Sequence, residues 1–169
     1  MMSDAFSPEI QAILSSLYGS PAILEELLLS IPADALNQKR GQGFWSLHEH
    51  AAHLADVQPM ILERLRRITS EDMAEFVPFI PGEDETAESP ALPSVEMILT
   101  RFRSVRQEQV ELLEKAGESA WEKRAIHPEY DQYGQLILAR HILMHDHWHM
   151  YRMEELWLTK DEFLTKLEG

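Results

Sequence analysis

Two histidines four residues apart, His145 and His149, stand in a segment otherwise written as the buried face of a helix: His141-Ile142-Leu143-Met144-His145-Asp146-His147-Trp148-His149. Taking every third or fourth residue from Leu138 gives Leu138, Ile142, His145, His149, Arg152 and Leu156, so both imidazoles occupy places that a core residue would fill. An unpartnered imidazole is costly to bury, but two neutral imidazoles one turn apart point the same way and can close on one metal ion. His141 extends this face by a turn and reads as a half-exposed helix residue. His147 points away, and His127, before Pro128, falls in a connection.

A catalytic site of the zinc type has three protein ligands and an open position, so a third ligand must come from another element. His48, His50 and His53 lie near the start of a second amphipathic helix. His50 is on its apolar stripe with Leu47, Leu54, Val57, Ile61, Leu65 and Ile68; His53 is on the flank and His48 faces elsewhere. Spacing alone does not choose between His50 and His53. The run His48-Glu49-His50-Ala51-Ala52-His53 looks like the zincin motif, but that motif needs histidines four apart and here the outer pair is five apart. No Glu-x-x-His occurs, so a di-iron carboxylate site lacks its usual ligands and a mononuclear site is what remains.

The elements that must position these residues are helices. Ser7-Pro8-Glu9 reads as an N-cap followed by proline at the first helical position, and Ile10, Ile13, Leu14 and Leu17 then recur at helical spacing. Gly19-Ser20-Pro21 interrupts the pattern, which resumes through Ile23, Leu24, Leu27, Leu28 and Ile31, predicting a kinked helix or two short ones before Pro32. Ser46 and Glu49 form a capping box for a helix running to about Thr69, with Pro59 against its continuity. The stretch 70–93 contains Pro78, Pro81, Pro90 and Pro93 and the acidic Glu83-Asp84-Glu85, predicting a long loop with a short ordered piece around Met73 to Phe79. Ser94 caps a third helix, closed by Gly117; an irregular connection follows through His127 to Gly134. A fourth helix runs from about Gln135 to Leu158, and a short turn begins near Asp161. Four long amphipathic helices without alternating strand patterns predict an all-α four-helix bundle, one domain over residues 1–169.

Composition narrows the partners. A chain of 169 residues with 44% hydrophobic content can bury one core. The formal charge of -14 repels phosphate backbones and anionic lipids, and the Arg64, Arg66, Arg67 and Arg101, Arg103, Arg106 clusters read as solvated helix faces, so no nucleic-acid or membrane partner is expected. No window reaches the roughly 18 apolar residues of a membrane span, the N-terminus lacks a signal pattern, and a cytoplasmic location is expected. Cysteine is absent, which excludes disulfides, thiolate ligands and a protein thiol nucleophile. Trp45, Trp121, Trp148 and Trp157 read as packing residues.

Trp45-Ser46, then Glu49, then His53-Leu54-Ala55-Asp56, together with the His145 and His149 pair on the last long helix and Tyr133-Gly134 ahead of it, resemble the DinB-like (DinB/YfiT-like) superfamily of metalloproteins over most of the chain. The resemblance implies that His53, His145 and His149 hold a divalent ion, zinc or nickel, with waters completing the shell. Many members follow the last ligand with a second histidine and an Arg-Gly-Gln run, where this chain has Met150-Tyr151-Arg152-Met153. That departure puts Arg152 beside the open position, a fixed cation able to hold an anionic substrate. Asp56 is expected to orient an imidazole or act as a base.

Members of the superfamily include transferases that use low-molecular-weight thiols such as bacillithiol or mycothiol. The resemblance therefore implies a thiol-dependent S-transferase, the metal acidifying the bound thiol for attack on a small electrophile. The alternatives are a hydrolase using metal-activated water, with Asp56 or Glu49 as base, and a metal- or ligand-binding protein without turnover. A homodimer is expected from the apolar helix faces such bundles carry.

Overall fold

The computed structural model describes residues 6–77 and 91–167. The acidic run at 83–85, most of the proline-rich stretch, and Phe79 at the end of the piece expected to be ordered therefore lie outside the described residues. Among the described residues, seven helices and three short strands follow one another: α1 (Pro8–Ser30), α2 (Leu47–Asp56), α3 (Gln58–Ser70), β1 (Ala74–Glu75), α4 (Val95–Lys115), α5 (Glu118–Trp121), β2 (Arg124–His127), β3 (Tyr130–Gly134), α6 (Gln135–Leu158) and α7 (Asp161–Leu164). Four rods, α1, α2–α3, α4 and α6, make the bundle. The rods α1 and α2–α3 each pack on both α4 and α6, so α1 sits at the corner opposite α2–α3 and the 31–46 segment crosses the end of the bundle.

Local chemistry accounts for each rod. Ser7 caps α1 by accepting from the Ile10 amide, and the helix continues unbroken through Gly19-Ser20-Pro21. Pro21 has no N–H for the Leu17 carbonyl, and the Ser20 hydroxyl donates to that carbonyl instead, at 3.1 Å. The expected single helix after the capping box divides at Val57, two residues before Pro59. There the Gln58 side-chain amide donates to the Leu54 carbonyl at 2.8 Å, and the Val57 amide donates to the His53 carbonyl, so hydrogen bonding continues across the junction. By length and composition alone α1 is apolar enough to cross a membrane, a correction to the reading that no segment is, but its Leu14, Leu17, Leu24 and Leu28 are buried in the bundle.

The connection expected to be irregular is a β-hairpin. β2 pairs antiparallel with β3, with an irregularity between Ala125 and His127, and β1 adds in parallel to β2 through Ala74 and Glu75. Strands this short show no alternation long enough to read. Gly134 ends the hairpin where a Cβ would collide with the Lys123 carbonyl oxygen, and the next residue, Gln135, donates its amide to that same oxygen at 3.0 Å. This pins the start of α6 to the hairpin.

The core is divided in two. One cluster gathers Leu17, Leu65, Leu113 and Ile142, the other Leu24, Leu54, Phe102 and Met153. Between them lies a polar layer with a member from every rod: Ser20, Gln58, Arg106, Gln109 and Asp146, all at most 1% exposed. The Arg106 guanidinium makes two bonds to Asp146, at 2.5 and 3.2 Å, and donates to Ser20 Oγ at 2.8 Å, Gln58 Oε1 at 3.0 Å and Gln109 Oε1 at 2.9 Å. The expectation that Arg106 lies on a solvated face is corrected, because its charge is matched inside the bundle. Its neighbours Arg101 and Arg103 do lie at the surface, paired with Asp56 and Glu25.

Breaking this layer on one side leaves a buried charge without its partner. Asp146→Asn should lower the unfolding free energy of the metal-free protein by roughly 3–5 kcal/mol, and the double variant Arg106→Met with Asp146→Leu should recover most of that loss, both read by urea denaturation.

Candidate metal centre

The polar layer sets the level at which α2 and α6 meet, and the histidines sit beside it. His53 and His145 approach with Nε2 atoms 3.1 Å apart; His149 Nδ1 lies 2.8 Å from His50 Nδ1. One nitrogen from each of His53, His145 and His149 lies within 4.8 Å of the others. The Ser46–Glu49 capping box fixes the first turn of α2, both halves being present, and so fixes where His50 and His53 emerge.

Burial keeps the imidazoles neutral. It pushes His53 down to about 4, with the neighbouring His145 and His50 adding to the effect, and it pushes His149 down to about 2, with His145, His53 and His50 contributing. His50 is lowered to about 4, again by burial first and then by the Arg152 charge. His145 is lowered by burial, partly opposed by the adjacent Asp146 carboxylate.

Neutral imidazoles are the protonation state that a divalent ion requires. Two nitrogens bound at 2.0–2.1 Å to one tetrahedral ion are about 3.3 Å apart, close to the His53–His145 separation. One further observation fits an ion here: a pair of neutral imidazoles facing each other through Nε2 can share only one proton. A proton on His149 Nδ1, donated to His50, would leave His149 Nε2 as a lone pair for the metal.

A pocket of about 510 Å³ opens over His50, His53 and His149, walled by Phe44, Trp45 and Trp148. The Trp45 ring stacks on His149, centroids 5.7 Å apart and planes 20° apart, and lies 4.8 Å from His53. Trp45 and Trp148 are thus wall residues of the site, 40% and 48% exposed, where core packing was expected; Trp121 is buried as expected. Arg152 also lines the pocket, paired with Glu155 at 2.5 Å, its guanidinium 5.5 Å from the Trp148 ring centre.

Asp56 is not brought to the cluster. It is 55% exposed on the side chain and bridges to Arg101 at 3.0 Å on the outside of α2, because three residues past His53 the helix has turned it towards α4. Glu49 is held by its own cap and by Lys39 at 2.7 Å. His48 binds the Pro93 carbonyl at 2.7 Å, His147 is exposed, and His127 is buried at the end of β2.

A family model described as the DinB superfamily matches residues 16–158, which span both histidine-bearing helices. The chain belongs to the DinB superfamily. Among solved structures it is similar to YfiT from Bacillus subtilis, with a TM-score of 0.72 and 18% identity over 91% of this chain and 89% of that one. That protein is described as "a probable metal-dependent hydrolase with an unusual four-helix bundle topology". The likeness establishes the bundle topology for this DinB-superfamily chain. No curated protein sequence matches it.

The tryptophan wall was not read from the sequence as part of the site, and His50 was read only as an alternative third ligand, not as a partner of His149. The available signal was His50 on the apolar stripe of α2, where an imidazole needs a partner as much as His149 does.

The neutral histidines predict an acid-sensitive fold. Their protons bind the unfolded chain near pH 6.5 but the folded chain only near pH 4 for His50 and His53, so falling pH favours unfolding across that interval. The urea midpoint of metal-free protein should drop between about pH 6.5 and about pH 4.5, and a His50→Phe, His53→Leu double variant should show a shallower drop.

Proposed function

We propose that this protein is a mononuclear metal-dependent hydrolase acting on a small, partly apolar substrate, with zinc or nickel held by His53, His145 and His149. The observation that carries the reading is the convergence of three neutral imidazoles, with no carboxylate or thiolate among them, two of which, His53 and His149, line an aromatic-walled pocket. The description of YfiT as a probable metal-dependent hydrolase supports it. An ion bound by three neutral ligands keeps its full charge and supplies Lewis acidity, polarising a substrate oxygen and acidifying water towards neutral pH.

The chain's own residues then have distinct tasks. Phe44, Trp45 and Trp148 bind the apolar part of the substrate and exclude bulk water. Arg152 receives an anionic or carbonyl group, and in doing so it loosens Glu155, the one carboxylate on the pocket wall among the described residues, which becomes the proton acceptor. Asp56, turned to the surface, has no part in this scheme. His50 is a positioning residue that holds His149 through their ring nitrogens.

The thiol-transfer reading uses the same centre. It is favoured by one observation: a second cavity reaches His53 from the hairpin side, as a two-substrate reaction would use. Any thiol must come from outside, since the chain has no cysteine.

Tag-free protein should carry about one equivalent of zinc or nickel by elemental analysis, and a His145→Ala, His149→Ala variant none. Protein that stays metal-free after both ions are supplied would remove the metalloenzyme reading. Metal-loaded protein should cleave members of an ester, amide and phosphoester panel without added thiol, and turnover only with a thiol present would select the transferase instead. His50→Ala should weaken metal affinity by about 10–100-fold while leaving the fold intact, measured by competition with a chromophoric chelator.

A further inference from the structure

The histidine cluster is exposed to a second cavity that the proposed mechanism does not use. About 330 Å³ in volume, it lies between α3, the β2–β3 hairpin and the first half of α6, and it reaches both His53 and His145. It shares only His53 with the tryptophan-walled pocket, so the two approach the cluster from opposite ends.

Its lining has a consistent chemistry. Val57, Ile61 and Ile142 form an apolar floor. Tyr130 and Tyr133 stack with centroids 5.6 Å apart and planes 27° apart, and His127 and His141 extend this aromatic wall at 5.0 and 5.4 Å from the nearer tyrosine ring. Among the described residues that line it, the single cation is Arg64. It makes one long bond to the Tyr133 hydroxyl at 3.5 Å and one to the Val77 carbonyl at 3.0 Å, and it has no carboxylate partner among the described residues. Glu129 also lines the cavity, but no ion pair joins it to Arg64 among the described residues, and on His127 the charge of Arg64 weighs more than that of Glu129.

We propose that this cavity is a second ligand site, for a small planar organic anion whose ring lies against Tyr130 and Tyr133 and whose anionic group is held by Arg64. The guanidinium offers the planar fork that a carboxylate matches, and the tyrosine rings offer an aromatic surface to a monocyclic ligand. Placing that ligand beside an ion rests on the metal reading of His53 and His145, whereas its recognition by Arg64 and the tyrosines does not. The site therefore names the class of second reactant that the centre admits from the hairpin side.

Benzoate and its neutral isostere benzamide test the proposal by NMR titration of isotope-labelled protein, with and without zinc. Benzoate should bind saturably in both states, shifting amides of β3 and of α6 around His141. Benzamide should bind about tenfold more weakly, and Arg64→Gln should weaken benzoate by about tenfold or more. Tyr130→Ala, at a half-exposed position that does not endanger the fold, should also weaken both ligands, and Arg152→Gln should change neither. No saturable binding, undiminished binding in Arg64→Gln, or shifts centred on the Trp45 and Trp148 indoles would overturn it. Benzoate binding in protein that takes up no zinc would leave this site standing while removing the metal centre.

Discussion

The pairing of Arg106 with Asp146 in the middle of the bundle is the constraint on which the remaining structure turns. Apolar packing is tolerant of sliding, since a leucine displaced by a turn finds another apolar neighbour. A buried guanidinium is not tolerant, because each donor must end on an acceptor. Arg106 meets acceptors from α1, α3, α4 and α6 at once, so it fixes the relative height of all four rods. Asp146 lies between His145 and His149 in sequence, and the rotation that aims its carboxylate inward aims the two imidazoles at α2.

Polar groups therefore occur in two adjoining sets at this level, and they are satisfied in different ways. The arginine set is complete within the protein. The histidine set is not: the facing neutral rings of His53 and His145 compete for one proton. A polar network that is nearly satisfied, beside one that is fully satisfied, marks the place where an external group belongs. Burial and the neighbouring imidazoles keep the rings of His53 and His149 unprotonated.

Much of this was legible in the chain. Helical periodicity revealed the four rods, the Ser46–Glu49 box located the start of α2, and His145 and His149 were conspicuous because imidazoles replaced core residues. The choice of His53 came from family resemblance, since spacing left it level with His50, and the folded chain shows why: both rings point into one cluster, one towards His145 and the other towards His149. Asp56 was misplaced because proximity in sequence to a ligand does not give proximity in space on a helix that turns 100° per residue. Arg106 was misread because its neighbours Arg101 and Arg103 are indeed solvated, and a burial difference of this kind depends on a partner forty residues away. The hairpin escaped notice because strands of four and five residues with a register irregularity leave no period-two signature.

The order of elements along the chain has a consequence for biosynthesis. His53 appears early, but His145 and His149 belong to α6, and the hairpin that pins α6 follows the whole of α4. Until α6 has been synthesised, the three histidines of the proposed centre cannot assemble. Under the metal reading, loading would follow the synthesis of α6, and the arginine layer, complete without an ion, would be the template that brings the three rings together.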